Sequence, residues 1–239
     1  MTKRIRFPEI VVLTAIGVLI LDGLVLGANV AYHMVSDRSE NDFGVRFLRW
    51  PGWDGDEDRS AIEVSGYVQL GMAAVLLCLT WRRTRQPVYL AWAAILTALV
   101  LDDSLRLHET TGHAVEAVMA PQTSIGPGLR TQDIGELLFW GCVAIPLGVW
   151  WLIKHRAADH RAKRDSWALV LAIAFVATFA VILDVLTIAL GSVPVAQDFI
   201  GKLILVETGG ELLGMSAILL ISVVITSRSE GVPHAGRSK

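Results

Sequence analysis

Six long apolar runs alternate along the chain with short polar, mostly charged connections, over about 8–30, 61–81, 88–107, 134–153, 167–190 and 199–226. A helix rises 1.5 Å per residue, so roughly twenty residues cross about 30 Å of hydrocarbon. Membrane strands would need closure into a barrel and an apolar–polar alternation over about ten residues, which continuous runs of this length do not show. The pattern therefore predicts an all-α, polytopic membrane protein: a six-transmembrane-helix bundle forming one integral membrane domain over 1–239, with a first loop at 31–60 and a flexible tail at 227–239.

The connections also predict an orientation. Lys3, Arg4 and Arg6 precede the first run; Arg82, Arg83 and Arg85 fill the second connection; Lys154, Arg156, Arg161, Lys163 and Arg164 fill the fourth; Arg228, Arg237 and Lys239 lie in the tail. If the runs alternate in direction, all of these fall on one side, which the positive-inside rule makes cytoplasmic. Both termini are thus expected in the cytoplasm and the protein in a bacterial inner membrane, with Trp81, Trp150, Trp151 and Trp167 as interfacial anchors. The first run is longer than the 7–15 residues of a secretory signal core and is interrupted by Asp22, so it reads as a retained span. Loop 31–60 mixes Phe47, Trp50 and Trp53 with Arg46 and Arg49, a composition suited to the outer headgroups. Its Asp54, Asp56 and Asp58 imitate a calcium loop, but Arg59 and Ser65 stand where Gly and Glu are required. Ser60-Ala-Ile-Glu63 reads instead as a capping box.

Composition agrees with this reading and narrows the function. Hydrophobic residues make up 53% of the 239 residues and charged ones 18%, and 21 Lys and Arg against 23 Asp and Glu give a net charge of −2. With no basic excess, nucleic acid is not an expected partner; the lipid bilayer is. Cys78 and Cys142 lie inside apolar runs without the spacing of a disulfide framework or a thiolate metal site.

The informative positions are acids within the runs, because a charge at mid-bilayer costs at least about 2.5–3.5 kcal/mol. They are Asp22, Asp102, Asp103, Glu136, Asp184, Glu207 and Glu211. Opposed helix directions bring nearly all of them to the outer half of the membrane, where Arg106 is the only deep base and Lys202 can reach the interface. Crowded carboxylates in a low dielectric cannot all stay ionised: some hold protons, or a cation sits among them.

Two polar stripes share one spacing. Asp22, Asn29 and His33 repeat as Asp102, Glu109 and His113, offsets that fall close to one line on a continuous helix. Shorter echoes join Gly135-Glu136-Leu-Leu to Gly210-Glu211-Leu-Leu, and Leu70-Gly-Met-Ala-Ala-Val-Leu-Leu to Leu213-Gly-Met-Ser-Ala-Ile-Leu-Leu. Together they suggest three degenerate helical hairpins. Gly210 and Gly214, and Gly23 and Gly27, would allow close helix approach. Pro146 would leave the carbonyl of Cys142 without its usual donor. On a continuous helix His108 points about 100° away from Glu109 and carries no role, while His155 and His160 fall in the basic connection, expected in solvent or near anionic lipid.

Imidazole and carboxylate together suit divalent transition metals. Asn29, His33, Glu109 and His113 form an expected upper tier of metal ligands above the buried acids, so a divalent metal ion is a candidate cofactor. The first functional expectation is a cavity, open to the extracytoplasmic side, that binds or handles a small cation, either a proton or a divalent metal. The second is a metal-dependent intramembrane enzyme acting on a lipid or quinone-like substrate at the outer leaflet, with Glu109 as general base and Arg106 holding an anion. The third is a structural or assembly subunit whose buried acids are protonated or paired.

Overall fold

A computed structural model describes residues 7–35, 43–55, 57, 59–119, 130–183 and 197–230. Among these the chain is helical, without strands. The helices are α1 (Phe7–Val35), α2 (Phe43–Leu48), α3 (Ala61–Thr84), α4 (Pro87–Leu105), α5 (Leu107–Met119), α6 (Thr131–Ala157), α7 (His160–Ala177) and α8 (Gln197–Glu230). A 3-10 turn spans Pro51–Trp53, and α7 runs on into a π-helical segment, Thr178–Leu183.

Five described stretches are long and apolar enough to cross a membrane: Glu9–Val35, Ala61–Thr84, Pro87–Leu105, Thr131–Ala157 and Leu203–Ser229. The sixth predicted run begins within α7 and the π segment; 184–190, with Asp184, lies outside the described residues. Val12, Leu13, Ile16, Leu19, Ile20 and Leu24 of α1 are all exposed. An apolar face of that kind is compatible with hydrocarbon chains as its solvent.

The chain divides into two compact units, one of residues 1–73 and 167–239, the other of residues 74–166. In the first, Val25, Ile62 and Leu212 form a small apolar core, flanked by Leu26 and Ala61. A Cβ at Gly66 would collide with the Met215 sulfur, at Gly210 with the Phe179 ring and at Gly214 with Val176, so α8 approaches α3 and the α7–π segment through absent side chains. Gly210 and Gly214 thus serve as expected. Gly23 and Gly27 do not: nothing lies within 4 Å of a Cβ built on either.

The polar loop is tied down over the same unit. Asn29 Nδ2 donates to the Trp53 carbonyl at 2.8 Å, and Trp53 packs edge-on against both Phe47 and Trp50. Half of the capping box forms: Glu63 N–H donates to Ser60 Oγ at 3.3 Å, but Glu63 Oε2 reaches one residue further back, accepting the Arg59 N–H at 2.6 Å, and the Ser60 N–H goes to the Glu57 carbonyl at 3.2 Å. Ser60 therefore caps α3, and the Glu63 carboxylate fastens the chain that enters it. Asp56 and Asp58 lie outside the described residues.

In the second unit, α5 folds back on α6. A Cβ on Gly135 would come 2.7 Å from the Gly112 Cα, and one on Gly112 would come 2.9 Å from the Glu136 Cγ. At the other end of α6, the buried Ser166 hydroxyl gathers three partners: Trp92 Nε1 at 2.8 Å, Trp151 Nε1 at 3.1 Å and His155 Nδ1 at 3.0 Å. Indole N–H groups can only donate, so they fill both lone pairs of the hydroxyl, whose own proton goes to His155 Nδ1. His155 is then the Nε2–H tautomer. Beside it, Tyr89 donates to Asp165 Oδ2 at 2.9 Å. The expectation that His155 sits in solvent or among lipid headgroups is corrected: it is 8% exposed, because the Trp151 ring one turn back on α6 lies 5.1 Å from its own and the Ser166 hydroxyl of α7 meets its Nδ1. His160 is exposed, as expected.

Candidate functional site

The stretch Leu101–Glu109 contains neither glycine nor proline and reads as uninterrupted helix. It is broken. Helix α4 ends at Leu105, and Arg106 adopts the left-handed conformation, φ 54° and ψ 46°, before α5 begins at Leu107. Such a backbone costs a non-glycine residue roughly 1–2 kcal/mol, so local contacts must hold it there.

Asp102 is the main such contact. Its Oδ1 accepts the backbone N–H of His108 at 2.9 Å, and its Oδ2 lies 2.9 Å from His108 Nδ1. One carboxylate from the last turn of α4 thus satisfies a free N–H at the start of α5, where the helix dipole also favours negative charge. Asp102 is 1% exposed, and His108 is half-buried. Around them, Arg106 pairs with Glu109 through Nη2 and Oε2, and His108 Nε2 faces Glu109 Oε1 at 3.9 Å. The His108 ring also lies 6.5 Å from the Trp140 ring.

The break changes the geometry on which the second polar stripe rests. Asp102 does not share one helix with Glu109 and His113, and His108 turns back onto Asp102 in the place where a continuous helix would have left it idle. Sequence reasoning passed over His108 for that reason. One ligand atom each of Asp102, Asp103 and His108 lie within 4.8 Å of one another, a set that could hold a metal ion. In this set Asp102 Oδ2 and His108 Nδ1 already face each other at 2.9 Å, so an ion held by all three would take the place of the proton between them.

The other expected ligands find separate partners. Asn29 is buried against the Trp53 carbonyl. His33, with a side chain 54% exposed, lies 3.6 Å from Asp54; His113, 63% exposed, lies 3.7 Å from Glu116. Glu136 accepts from Gln132 Nε2 at 2.9 Å. Asp103, Glu207 and Glu211 are half-buried and each has a partner. Asp22 belongs to the first unit, where its carboxyl meets Gln69 and Ser216. Neither of those two residues stood out in the sequence, because uncharged polar side chains in a span carry little signal by composition.

A family model matches residues 10–225, nearly the whole chain. The protein belongs to the family described as "Domain of unknown function (DUF8692)". The matched stretch includes the whole of the second unit, most of the first, and every residue of the Asp102–His108 site. Neither the curated proteins nor the solved structures contain a match.

Proposed function

We propose that this chain is a multi-pass membrane protein that binds a small cation at Asp102, Asp103 and His108, with a divalent transition metal as the form the donors favour. The observation that carries the reading is the Asp102–His108 pair: a buried carboxylate stands 2.9 Å from the imidazole Nδ1, and one ligand atom of each, together with one of Asp103, lie within 4.8 Å of one another. Mixed nitrogen and oxygen donors suit zinc, manganese or iron(II) better than calcium or magnesium. In this reading the chain has six spans built as degenerate hairpins, both termini are cytoplasmic, the membrane is a bacterial inner membrane, and the site opens to the extracytoplasmic side. The asymmetry of basic residues and the apolar inner halves of the runs support that orientation, and they favour a binding or sensing site over a conducting path.

Elemental analysis and zinc titration of the detergent-purified protein test the proposal. Stoichiometric metal that is lost in both His108→Ala and Asp102→Asn, with folding retained, is the expected result. A wild-type protein that takes up no divalent metal above the level of these variants overturns it.

The same pair favours one second reading, an intramembrane enzyme acting on a lipid or quinone-like substrate. There His108, oriented by Asp102, is a better-placed general base than Glu109, whose carboxylate is engaged by Arg106. Altered lipid or quinone pools in a deletion strain, restored by wild type and not by His108→Ala, would select it.

A further inference from the structure

In the first compact unit, three helices meet at three polar side chains. Gln69 Nε2 lies 2.8 Å from Asp22 Oδ1, Ser216 Oγ lies 2.5 Å from Asp22 Oδ2, and the same Ser216 Oγ lies 2.7 Å from Gln69 Oε1. All three side chains are buried, Asp22 being 2% exposed, Gln69 2% and Ser216 3%. They come from the middles of α1, α3 and α8, among apolar neighbours. The contacts close a ring of carboxyl, amide and hydroxyl.

Three contacts at hydrogen-bonding distance need three protons, one in each. The Gln69 amide supplies one and the Ser216 hydroxyl a second. If Asp22 were ionised, the hydroxyl would have to choose between Asp22 Oδ2 and Gln69 Oε1, and the rejected contact would press two acceptors together in a low dielectric. Reversing the Gln69 amide, the usual ambiguity of such side chains, leaves the count unchanged. The N–H would then serve Ser216, the hydroxyl would serve Asp22, and the other Asp22 oxygen would need a proton to meet the Gln69 carbonyl. In both orientations the missing proton can come only from the carboxyl group.

We propose that Asp22, Gln69 and Ser216 form a proton-binding site, in which Asp22 is held as a neutral carboxylic acid that completes a closed ring of three hydrogen bonds. The ligand is a proton. With heavy atoms in mutual contact the ring leaves no volume for a metal ion, whose oxygen ligands stand about 2.0–2.6 Å from it. The ring also resolves the energetic difficulty of an acid at this depth in α1: no net charge is buried, and every polar atom facing the ring has a partner. Removal of the proton would break one of its three contacts, so occupancy is coupled to the packing of α1 against α3 and α8. This site is independent of the cation site at Asp102 and stands or falls separately.

Infrared difference spectroscopy of the full chain in detergent or nanodiscs, wild type minus Asp22→Asn, tests it. Asn offers the same shape with one donor and one acceptor, so the variant should fold with a thermal midpoint within a few degrees of wild type. The difference spectrum should show the carbonyl stretch of an un-ionised carboxylic acid, sensitive to deuterium exchange. A carboxylate stretch in its place overturns the proposal. Should Asp22→Asn not fold, Ser216→Ala serves: in either orientation of the Gln69 amide it removes one hydrogen bond to the Asp22 carboxyl, so the acid carbonyl band should shift to higher frequency. A wild-type minus Ser216→Ala spectrum without any acid carbonyl feature overturns the proposal equally.

Discussion

Asp102 holds His108 by both its backbone and its ring, at 2.9 Å each, across a helix break that only Arg106 separates from α4. The carboxylate is therefore a structural clamp as well as a candidate ligand, and the two roles can be separated. Asp102→Ala leaves the half-buried His108 N–H without its acceptor and should cost about 1–3 kcal/mol, whereas His108→Ala retains the backbone contact and should cost less. Unfolding in detergent followed by circular dichroism measures both. Equal costs would show that the ring contact, and not the backbone one, dominates the clamp.

If a divalent ion binds beside that clamp, it should stabilise the fold by mass action. At a free concentration about 100 times the dissociation constant the gain is about 2.7 kcal/mol. Thermal unfolding with added zinc, against chelator-treated protein, should show a raised midpoint in wild type and none in His108→Ala.

The Ser166 hydroxyl supports Trp92, Trp151 and His155 together. Ser166→Ala should leave two indole donors and an imidazole acceptor without it, at about 1–3 kcal/mol for each group that water does not reach. Tryptophan fluorescence and the denaturation midpoint should both move. An unchanged midpoint would mean that water reaches the hub and replaces the hydroxyl.

Gly135 and Gly141 make a matched pair on α6. Gly135→Ala places a methyl group 2.7 Å from the Gly112 backbone and should cost about 1–3 kcal/mol by forcing α5 away from α6. Gly141→Ala meets nothing within 4 Å and should be neutral or stabilising by up to about 1 kcal/mol. Thermal midpoints of the two variants, compared side by side, check the α5–α6 contact directly.

These residues also show what a sequence of this kind discloses. The apolar runs, the Ser60–Glu63 cap and the close approach at Gly210 and Gly214 are local or periodic, and they are legible because length and spacing alone decide them. The break at Arg106 is not. Leu101–Glu109 has ordinary helix formers, and the turn depends on a buried carboxylate reaching six residues ahead, which no propensity encodes. Assuming a continuous helix placed Glu109 and His113 in line with Asp102 and dismissed His108. His155 is hidden in another way: Lys154 and Arg156 advertise solvent on either side, while the hydroxyl that receives its ring, Ser166, lies eleven positions on in the next helix. Gln69 and Ser216 become informative only when the chain brings them to Asp22; a glutamine amid an apolar span was the one faint signal, since an amide in hydrocarbon needs a partner.

The distance along the chain between Asp22 and Ser216, 194 positions, has a consequence for biogenesis. During synthesis the first helix is made long before the last, so its acid must wait without its hydroxyl partner until nearly the whole polypeptide has left the ribosome. Truncations ending before α8 should therefore leave the first helix poorly retained in the bilayer and exposed to quality-control proteases, even though that helix is the most apolar of the set.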